Sequence, residues 1–318
     1  MNHLEIGFSQ NNKWYNFIGV ISSVIGTILL VSFLLGLIFI FFLNDPDYLT
    51  HLSFIESLII NALIPFLFLY LISLLVIKEL YKINFQEVVN GTKSLRWGRI
   101  FFGMLIWGLL SISQILIGYI VDADNFIITL NYKSFLYALL LSMIVFPIQA
   151  SWEEFFFRGY LAQVFAGWTN SRVVSIIIPS ILFGLLHSAN PEVFEYGFFP
   201  MMIQYIGLGI IFGLTSAFDD GIELAIGAHI INNILSSILV SFKGSALENP
   251  GAIFYIKNME APSIFGGLMF LIIIGGIFIG VCRNKYKWKT FSLFNYGEGI
   301  DFNVIKFNKN TDLDLEVK

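Results

Sequence analysis

Two adjacent carboxylates and an arginine, Glu153, Glu154 and Arg158, lie inside a strongly apolar stretch of this chain. On a helix, residues four apart share a face, whereas neighbours diverge by about 100°. Glu154 and Arg158 are therefore expected to form an ion pair that leaves Glu153 pointing elsewhere. Ionisable groups at membrane depth are costly and mark function, so this cluster is the first candidate for chemistry. Glu153 is expected to act as a general base.

Two histidines follow in separate apolar segments. His187 closes a Phe-x-x-x-His sequence that begins at Phe183, and His229 opens a His-x-x-x-Asn sequence that ends at Asn233. On one helix, His229 and Asn233 would aim two donors at a common point, and two converging donors can stabilise an oxyanion. His187, from a different helix, could help Glu153 orient and deprotonate a water. These residues predict hydrolysis of a peptide bond without a covalent enzyme intermediate.

The composition of the whole chain indicates the class of protein in which this cluster lies. Of 318 residues, 57% are hydrophobic and only 13% charged, and the mean hydropathy is +0.78. A soluble domain has roughly a quarter of its residues charged, so the chain is expected to be a polytopic membrane protein. The net charge of −4 gives no support to nucleic-acid binding, which requires a basic face. The one cysteine, Cys282, allows no intrachain disulfide.

The apolar runs predict an all-α fold, a polytopic membrane bundle with about eight transmembrane helices, because each crossing needs about 20 apolar residues. The helices are expected at Phe17–Phe42, Phe54–Ile77, Ile100–Val121, Phe135–Ala150, Val173–Leu186, Phe198–Phe218, Leu224–Val240 and Ile264–Val281.

The fourth helix is expected to be longer than its apolar run, because no Gly or Pro interrupts residues 151–158. Its length decides whether Glu153 can reach His187, which lies well inside the next helix. A helix that extends to about Phe165, with a turn at Gly167–Arg172, would place Glu153 deep enough. A tilted or short fifth helix is the alternative.

The distribution of charges predicts the orientation. Acidic residues dominate the first, third and fifth connections, so the positive-inside rule places both termini in the cytoplasm of a multi-pass cell-membrane protein. One domain is expected: a cytoplasmic N-terminal segment at 1–16, a bundle at 17–282 with the motifs in 135–240, and a cytoplasmic tail at 283–318. The basic residues behind this orientation are Lys78, Lys82, Lys93, Arg96, Arg99, Arg158, Arg172, Arg283, Lys285, Lys287 and Lys289.

The three motifs, Glu-Glu-x-x-x-Arg at 153–158, Phe-x-x-x-His at 183–187 and His-x-x-x-Asn at 229–233, resemble those of the CPBP family. This family comprises type II CAAX prenyl endopeptidases and bacteriocin-processing or immunity proteins. The resemblance covers roughly Phe135 to Val240. It implies an eight-helix intramembrane protease whose active site opens to the cytoplasmic side.

The same resemblance implies a role for each residue. Glu153 would be the water-activating base with His187 as its partner, and His229 and Asn233 would form the oxyanion hole. Glu154 is counted with the catalytic set, and Arg158 would give it structural support. The expected partners are a membrane-associated peptide or protein substrate and the lipid bilayer.

Alternatives to this interpretation stay open. Glu153, His187 and His229 would make a three-ligand zinc set. No His-Glu-x-x-His sequence is present, so hydrolysis without a metal or another cofactor is preferred. A bacteriocin-immunity or scaffold protein without proteolysis is a second alternative. A transporter with a proton relay is a third, but the chain lacks the paired repeats that many transporters show.

Overall fold

The computed structural model describes residues 3–9, 11–38, 53–91, 94–261 and 263–288. Over these residues the chain is almost entirely helical, so the predicted all-α class is confirmed. The predicted end of the first span at Phe42 and the tail beyond Trp288 lie outside the described residues, as do Lys93 and Lys289.

Most helices of the bundle are long and joined by short connections. In chain order they are α1 (Ile6–Ser9), α2 (Trp14–Ile38), α3 (Phe54–Ser57), α4 (Ile64–Tyr81), α5 (Phe85–Asn90), α6 (Trp97–Val121), α7 (Tyr132–Glu154), α8 (Ala162–Thr169), α9 (Arg172–Leu186), α10 (Pro191–Tyr196), α11 (Phe198–Asp219), α12 (Glu223–Ile238) and α13 (Ile264–Tyr286). Two π-helical turns, Leu58–Leu63 and Phe155–Leu161, make α3–α4 and α7–α8 continuous, and short 3₁₀ turns lie at His3–Glu5, Ala123–Asn125 and His187–Ala189.

The expected count of eight membrane-spanning helices is not confirmed. Within the described part of the chain, seven helices are long and apolar enough to cross a membrane. The difference is the predicted span Leu224–Val240, where the structure has the 16-residue helix α12. Its residues are mostly buried and pack on α6 and α7. At 16 residues it is shorter than the seven helices, and its apolar side chains are mostly enclosed by other helices.

Small residues allow α6 and α12 to approach closely. A Cβ on Gly227 would lie 1.9 Å from the carbonyl oxygen of Ile100, and one on Gly103 would lie 2.3 Å from that of Leu224. Such close backbone contact through small residues is typical of helix pairs in membranes. It fixes the position of α12, which carries His229 and Asn233.

The longest helix is the fourth predicted span, which runs without a break over Tyr132–Thr169. It ends at Asn170, which is left-handed (φ 53°), and the side chain of Ser171 caps α9 by accepting from the backbone of Val174. The helix therefore passes Phe165, as expected. At 1.5 Å per residue, Glu153 and His187 both lie about 23 Å along their helices from this turn, so their depths match.

An ionic cluster fixes the turn between α11 and α12. We call it the anchor cluster; its members are Asn90, Arg96, Arg99, Asp219 and Glu223. Arg96 Nε donates to Glu223 at 2.9 Å and Arg96 Nη1 to the Asp219 carbonyl at 2.9 Å, while Arg99 pairs with the Asp219 carboxylate. Its bonds hold the turn that leads into α12.

A small sheet lies in the connections α6–α7 and α12–α13 and was not predicted from the sequence. Its strands are β1 (Phe126–Ile128), β2 (Val240–Phe242) and β3 (Phe254–Ile256), in the order β1-β3-β2. β3 pairs antiparallel with β1 and parallel with β2. Val240, predicted as the end of a membrane span, therefore begins a strand, because α12 stops at Ile238.

The N-terminal segment docks on the part of the fourth predicted helix that continues beyond Glu154. A Cβ on Gly7 would lie 1.9 Å from the carbonyl oxygen of Gln163 in α8, so the contact requires a glycine. His3 is buried: its Nε2–H donates to the Arg158 carbonyl at 2.9 Å, and its backbone N–H donates to Asp220 at 2.5 Å. Segment 1–16 thus includes a part that packs against the bundle.

Candidate active site

Glu154 is the centre of a buried ionic network. Its Oε1 accepts from Arg158 Nη1 at 2.9 Å and from His229 Nδ1 at 2.7 Å. The side chains of Glu154, Arg158 and His229 are all buried. The pair between Glu154 and Arg158 was predicted from their spacing, whereas the bond that joins Glu154 to His229 on α12 was not. Through this bond Nδ1–H donates to the carboxylate, which orients the imidazole.

Glu153 lies on the other side of the same imidazole ring. Its Oε2 is 3.4 Å from His229 Nε2, and its Oε1 accepts from Gln149 Nε2 at 3.4 Å. Among the described residues, no group donates a hydrogen bond to Glu153 Oε2, although this oxygen is buried. His229 therefore lies between two carboxylates, of which one is firmly bonded and the other retains an acceptor for a further group.

Arg158 is held by aromatic rings as well as by Glu154. Its guanidinium carbon lies 4.3 Å from the ring centroid of Phe183 and 5.8 Å from that of Phe212. Its Nη2 donates to the carbonyl of Gly209 on α11 at 3.3 Å. Contacts between a guanidinium and aromatic faces stabilise a cation that has been removed from water. Arg158 thus compensates the charge of Glu154 without help from solvent.

His187 is half-buried at the end of α9. Its Nδ1 donates to the Phe183 carbonyl at 2.8 Å, which leaves Nε2 as the nitrogen available for chemistry. Its ring stacks on that of Tyr205, with centroids 4.4 Å apart. The Tyr205 hydroxyl in turn donates to Glu192 and accepts from Asn190 at 2.9 Å. Two contacts therefore fix the plane of the His187 ring.

The ring of Phe183 connects the two histidines. Its centroid lies 4.6 Å from that of His187 and 5.8 Å from that of His229. Both rings therefore contact one aromatic side chain, and the motif residue Phe183 has a role beyond its spacing to His187. The structure brings Glu153, Glu154 and His229 into direct contact, with His187 one aromatic ring away.

Asn233 lies one turn after His229 on α12 and is half-buried, like His187. Its Oδ1 accepts from Asn232 Nδ2 at 3.2 Å, and Asn232 Oδ1 accepts from Trp107 Nε1 at 3.1 Å. This chain of bonds connects the amide oxygen of Asn233, through Asn232, to Trp107 on α6. Convergence of Asn233 and His229 on one oxyanion stays a prediction.

The residues of the zinc alternative are not gathered into one ligand set. Across the described ranges, no group of three or more His, Cys, Asp or Glu side chains is placed to hold a metal ion. His229 Nδ1 is bonded to Glu154 and His187 Nδ1 to a backbone carbonyl.

Sequence reasoning missed several residues around the site, among them Gln149, Tyr205 and Glu192. Gln149 precedes Glu153 by four residues, so helical spacing could have identified it. Tyr205 and Glu192 lie on α11 and α10, and the sequence carries no local signal that places either beside His187. Contacts between distant segments can be predicted only when the packing of the helices is known.

The fold and this cluster define a polytopic membrane protein with a buried site of two glutamates, a histidine and an arginine. Residues 132–235, which run from the start of α7 into α12, match the family model described as Type II CAAX prenyl endopeptidase Rce1-like. The resemblance seen in the three motifs is thus confirmed by the match to this family model.

A bacterial relative is similar over a larger part of the chain than the family model. The uncharacterised protein YyaK of Bacillus subtilis (strain 168) is 29% identical over 214 residues, which cover 67% of this chain and 70% of YyaK. No solved structure matches the chain.

Proposed function

We propose that this protein is an intramembrane endopeptidase that hydrolyses a peptide bond of a membrane-associated protein or peptide with a water activated by Glu153. The observation that carries the proposal is the position of His229 between the carboxylates of Glu153 and Glu154. The Rce1-like match over residues 132–235 supports the same activity, because that family is described as an endopeptidase family.

The proposed reaction starts at Glu153. Its Oε2 takes a proton from a water, whose oxygen attacks the carbonyl carbon of the scissile bond. The developing oxyanion receives hydrogen bonds from the amide of Asn233 and from Nε2–H of His229, which is doubly protonated in this scheme and keeps its Nδ1–H on Glu154. The proton held by Glu153 then passes to the leaving nitrogen as the C–N bond breaks. The products are a new carboxyl group and a free amine.

His187 and the pair of Glu154 and Arg158 have supporting roles in this scheme. His187 offers Nε2 to the same water, because its Nδ1 is occupied by the Phe183 carbonyl. Glu154 holds the His229 ring in one orientation, and Arg158 compensates the charge of Glu154. Removing Glu154 would therefore change the direction of the imidazole without removing the base.

The proposed substrate is anchored in or at the bilayer, and by the family likeness it is a C-terminal CAAX-type segment. A prenylated substrate is expected only where the host makes one. We also propose that the protein lies in the cell membrane with both termini in the cytoplasm. Support comes from Arg96 and Arg99 at the start of α6 and Lys285 at the end of α13, which line one groove.

The test compares membranes that carry the wild-type protein with membranes that carry Glu153→Gln, by quantitative proteomics of membrane peptides. The variant keeps the size and shape of the side chain but removes the base, so cleavage should fall by at least about 100-fold with expression unchanged. A substrate that accumulates uncut only in the variant would establish both activity and target.

The matched control is Glu195→Gln, which makes the same change at an exposed glutamate that pairs with Lys243 at 2.8 Å. It should leave cleavage unchanged. Identical peptide profiles for wild type and Glu153→Gln would contradict the proposal and favour an immunity or scaffold role. Loss of activity on chelation, restored by zinc, would instead support the zinc-dependent variant.

A further inference from the structure

An open groove lies at one end of the bundle, between the start of α6 and the end of α13. Its volume is about 550 Å³. It is separate from the candidate active site, and none of the proposed catalytic residues lines it. The residues that line the groove are Arg96, Gly98, Arg99, Phe101, Phe102, Leu105, Lys285 and Tyr286.

All the charged residues that line the groove are cations. Its lining includes three cations, Arg96, Arg99 and Lys285, and no acidic residue. The carboxylates that pair with the two arginines, Asp219 and Glu223, have side chains with 0% exposure, whereas the arginine side chains are 24% and 23% exposed. The acids therefore lie behind the cations, and the surface presented to a ligand is positive.

Two of these cations retain capacity for an anion. Arg99 uses Nη1 for both of its bonds to Asp219, and within the described part of the chain its Nε and Nη2 make no hydrogen bond. Lys285 is exposed and, across the same ranges, forms no ion pair; its Nζ lies 5.8 Å from the ring centroid of Phe102. Arg99 in turn lies 4.4 Å from the ring of Tyr286, which holds the guanidinium in place.

The other part of the groove is apolar. Phe101 is 63% exposed and Leu105 is 55% exposed, on the part of α6 that leads into the membrane. Leu105 lies about 9 Å along the helix axis from Arg99. A ligand that fills the groove therefore needs an anionic end at the start of α6 and a hydrocarbon end further along the helix. A free phosphate or a nucleotide would leave the apolar part uncovered.

We propose that this groove binds an anionic phospholipid, with its phosphate at Arg99 and Lys285 and an acyl chain along Phe101 and Leu105. Basic pockets between membrane helices at the cytoplasmic side bind anionic lipid headgroups, and each surface Lys or Arg contributes attraction. The site is independent of the proposed protease activity.

Native mass spectrometry of the full-length protein tests the proposal. The protein is released from detergent with phosphatidylglycerol, with phosphatidylcholine or with water-soluble glycerol phosphate. Phosphatidylglycerol should be retained, and the other two should not, because one lacks net charge and the other lacks acyl chains. Lys285→Gln should lower retention of phosphatidylglycerol about fivefold, and Leu105→Trp, which fills the apolar part, should lower it as well.

The matched control is Lys243→Gln, because Lys243 is exposed and lies in the connection after α12, outside the groove. This variant should retain phosphatidylglycerol like the wild type. Equal retention of the two phospholipids, or equal loss in the Lys285 and Lys243 variants, would overturn the proposal. Failure of the full-length chain to retain phosphatidylglycerol would also overturn it.

Discussion

The candidate active site and the anchor cluster both combine buried carboxylates with arginines, yet they differ in how fully their polar atoms are bonded. In the anchor cluster, Glu223 accepts from Asn90 and from Arg96 through both oxygens. Asp219 Oδ2 makes no hydrogen bond but lies 3.2 Å from Arg96 Nη2. The carboxylates of this cluster are thus compensated by nearby cations.

In the candidate active site, three buried polar atoms lack a hydrogen-bond partner among the described residues. Within the described residues, Glu153 Oε2, Glu154 Oε2 and Arg158 Nε are buried and have no hydrogen bond. Unbonded buried polar atoms are rare and costly in proteins, and they concentrate at sites that bind something else. The comparison therefore separates a cluster that stabilises a turn from a cluster that retains acceptors for a ligand.

The largest expected effect is that of Arg158→Met, which removes the compensating cation of Glu154. Breaking a buried ion pair from one side costs about 3 to 5 kcal/mol, because an uncompensated charge remains. Thermal unfolding in detergent and a cleavage assay should both show a severe loss.

A double variant tests whether the loss of stability in Arg158→Met is due to the uncompensated charge of Glu154. Glu154→Gln combined with Arg158→Met removes both charges and should recover much of the thermal stability. Cleavage should stay low, because His229 loses the carboxylate that orients it. An Arg158→Met protein that melts like the wild type would show that the pair is not what compensates Glu154.

A smaller and different effect is expected at the anchor cluster. Glu223→Gln weakens charge-assisted bonds to Arg96, so the free energy of unfolding should fall by about 1.5 to 3 kcal/mol. Cleavage per folded molecule should be unchanged, because Glu223 does not contact the candidate site. Measuring both quantities on one preparation checks the prediction. Normal melting together with lost cleavage would assign Glu223 to the active site and end the distinction between the clusters.

The smallest effect concerns the docking of the N-terminal segment and depends on pH. Burial lowers the pKa of His3, although the bond to the Arg158 carbonyl and the charge of Asp220 act in the opposite direction. The docked state thus favours neutral His3, while the released segment binds a proton near its usual pKa of about 6.5. Docking should be fully stable above that pH and should weaken as the pH falls below it.

Limited proteolysis of the N-terminal segment at pH 7.5 and pH 5.5 measures this change. Cleavage should be faster at the lower pH in the wild type, and the difference should disappear in His3→Gln, which has no group that titrates in this range. A protease whose own rate is matched at the two pH values provides the reference. Equal protection of wild-type His3 at both values would contradict the prediction.

Spacing along one helix was the part of the site that the sequence could specify. The pair of Glu154 and Arg158, the uninterrupted helix through residues 151–158 and the matched depth of Glu153 and His187 all follow from the pitch of an α-helix. The pair and the uninterrupted helix are confirmed by the structure, whereas the matched depth stays a prediction.

Contacts between helices were beyond the same reasoning. The bond from Glu154 to His229 joins segments that are 75 residues apart, and no local pattern encodes it. Helix α12 was predicted to be a span because its composition is apolar. An apolar composition does not distinguish a helix surrounded by lipid from one surrounded by protein. Its small residues Ala225, Gly227 and Ala228 were a signal of close helix packing that hydropathy does not weigh. The strands of the sheet, three residues each, are too short to show an alternating pattern.

The π-helical turn Phe155–Leu161 has a consequence for how this chain tolerates changes in length. The N–H of Ala162 donates to the carbonyls of Phe157 and Gly159, so it bypasses the carbonyl of Arg158, which accepts from His3 instead. Such a turn amounts to one extra residue in an α-helix. Deleting a single residue there would let the turn close as a regular α-helix, so α8 would keep nearly the same orientation relative to α7. Glu153 and Glu154 would keep their orientation, but the carbonyl that accepts from His3 would instead be bonded within the helix.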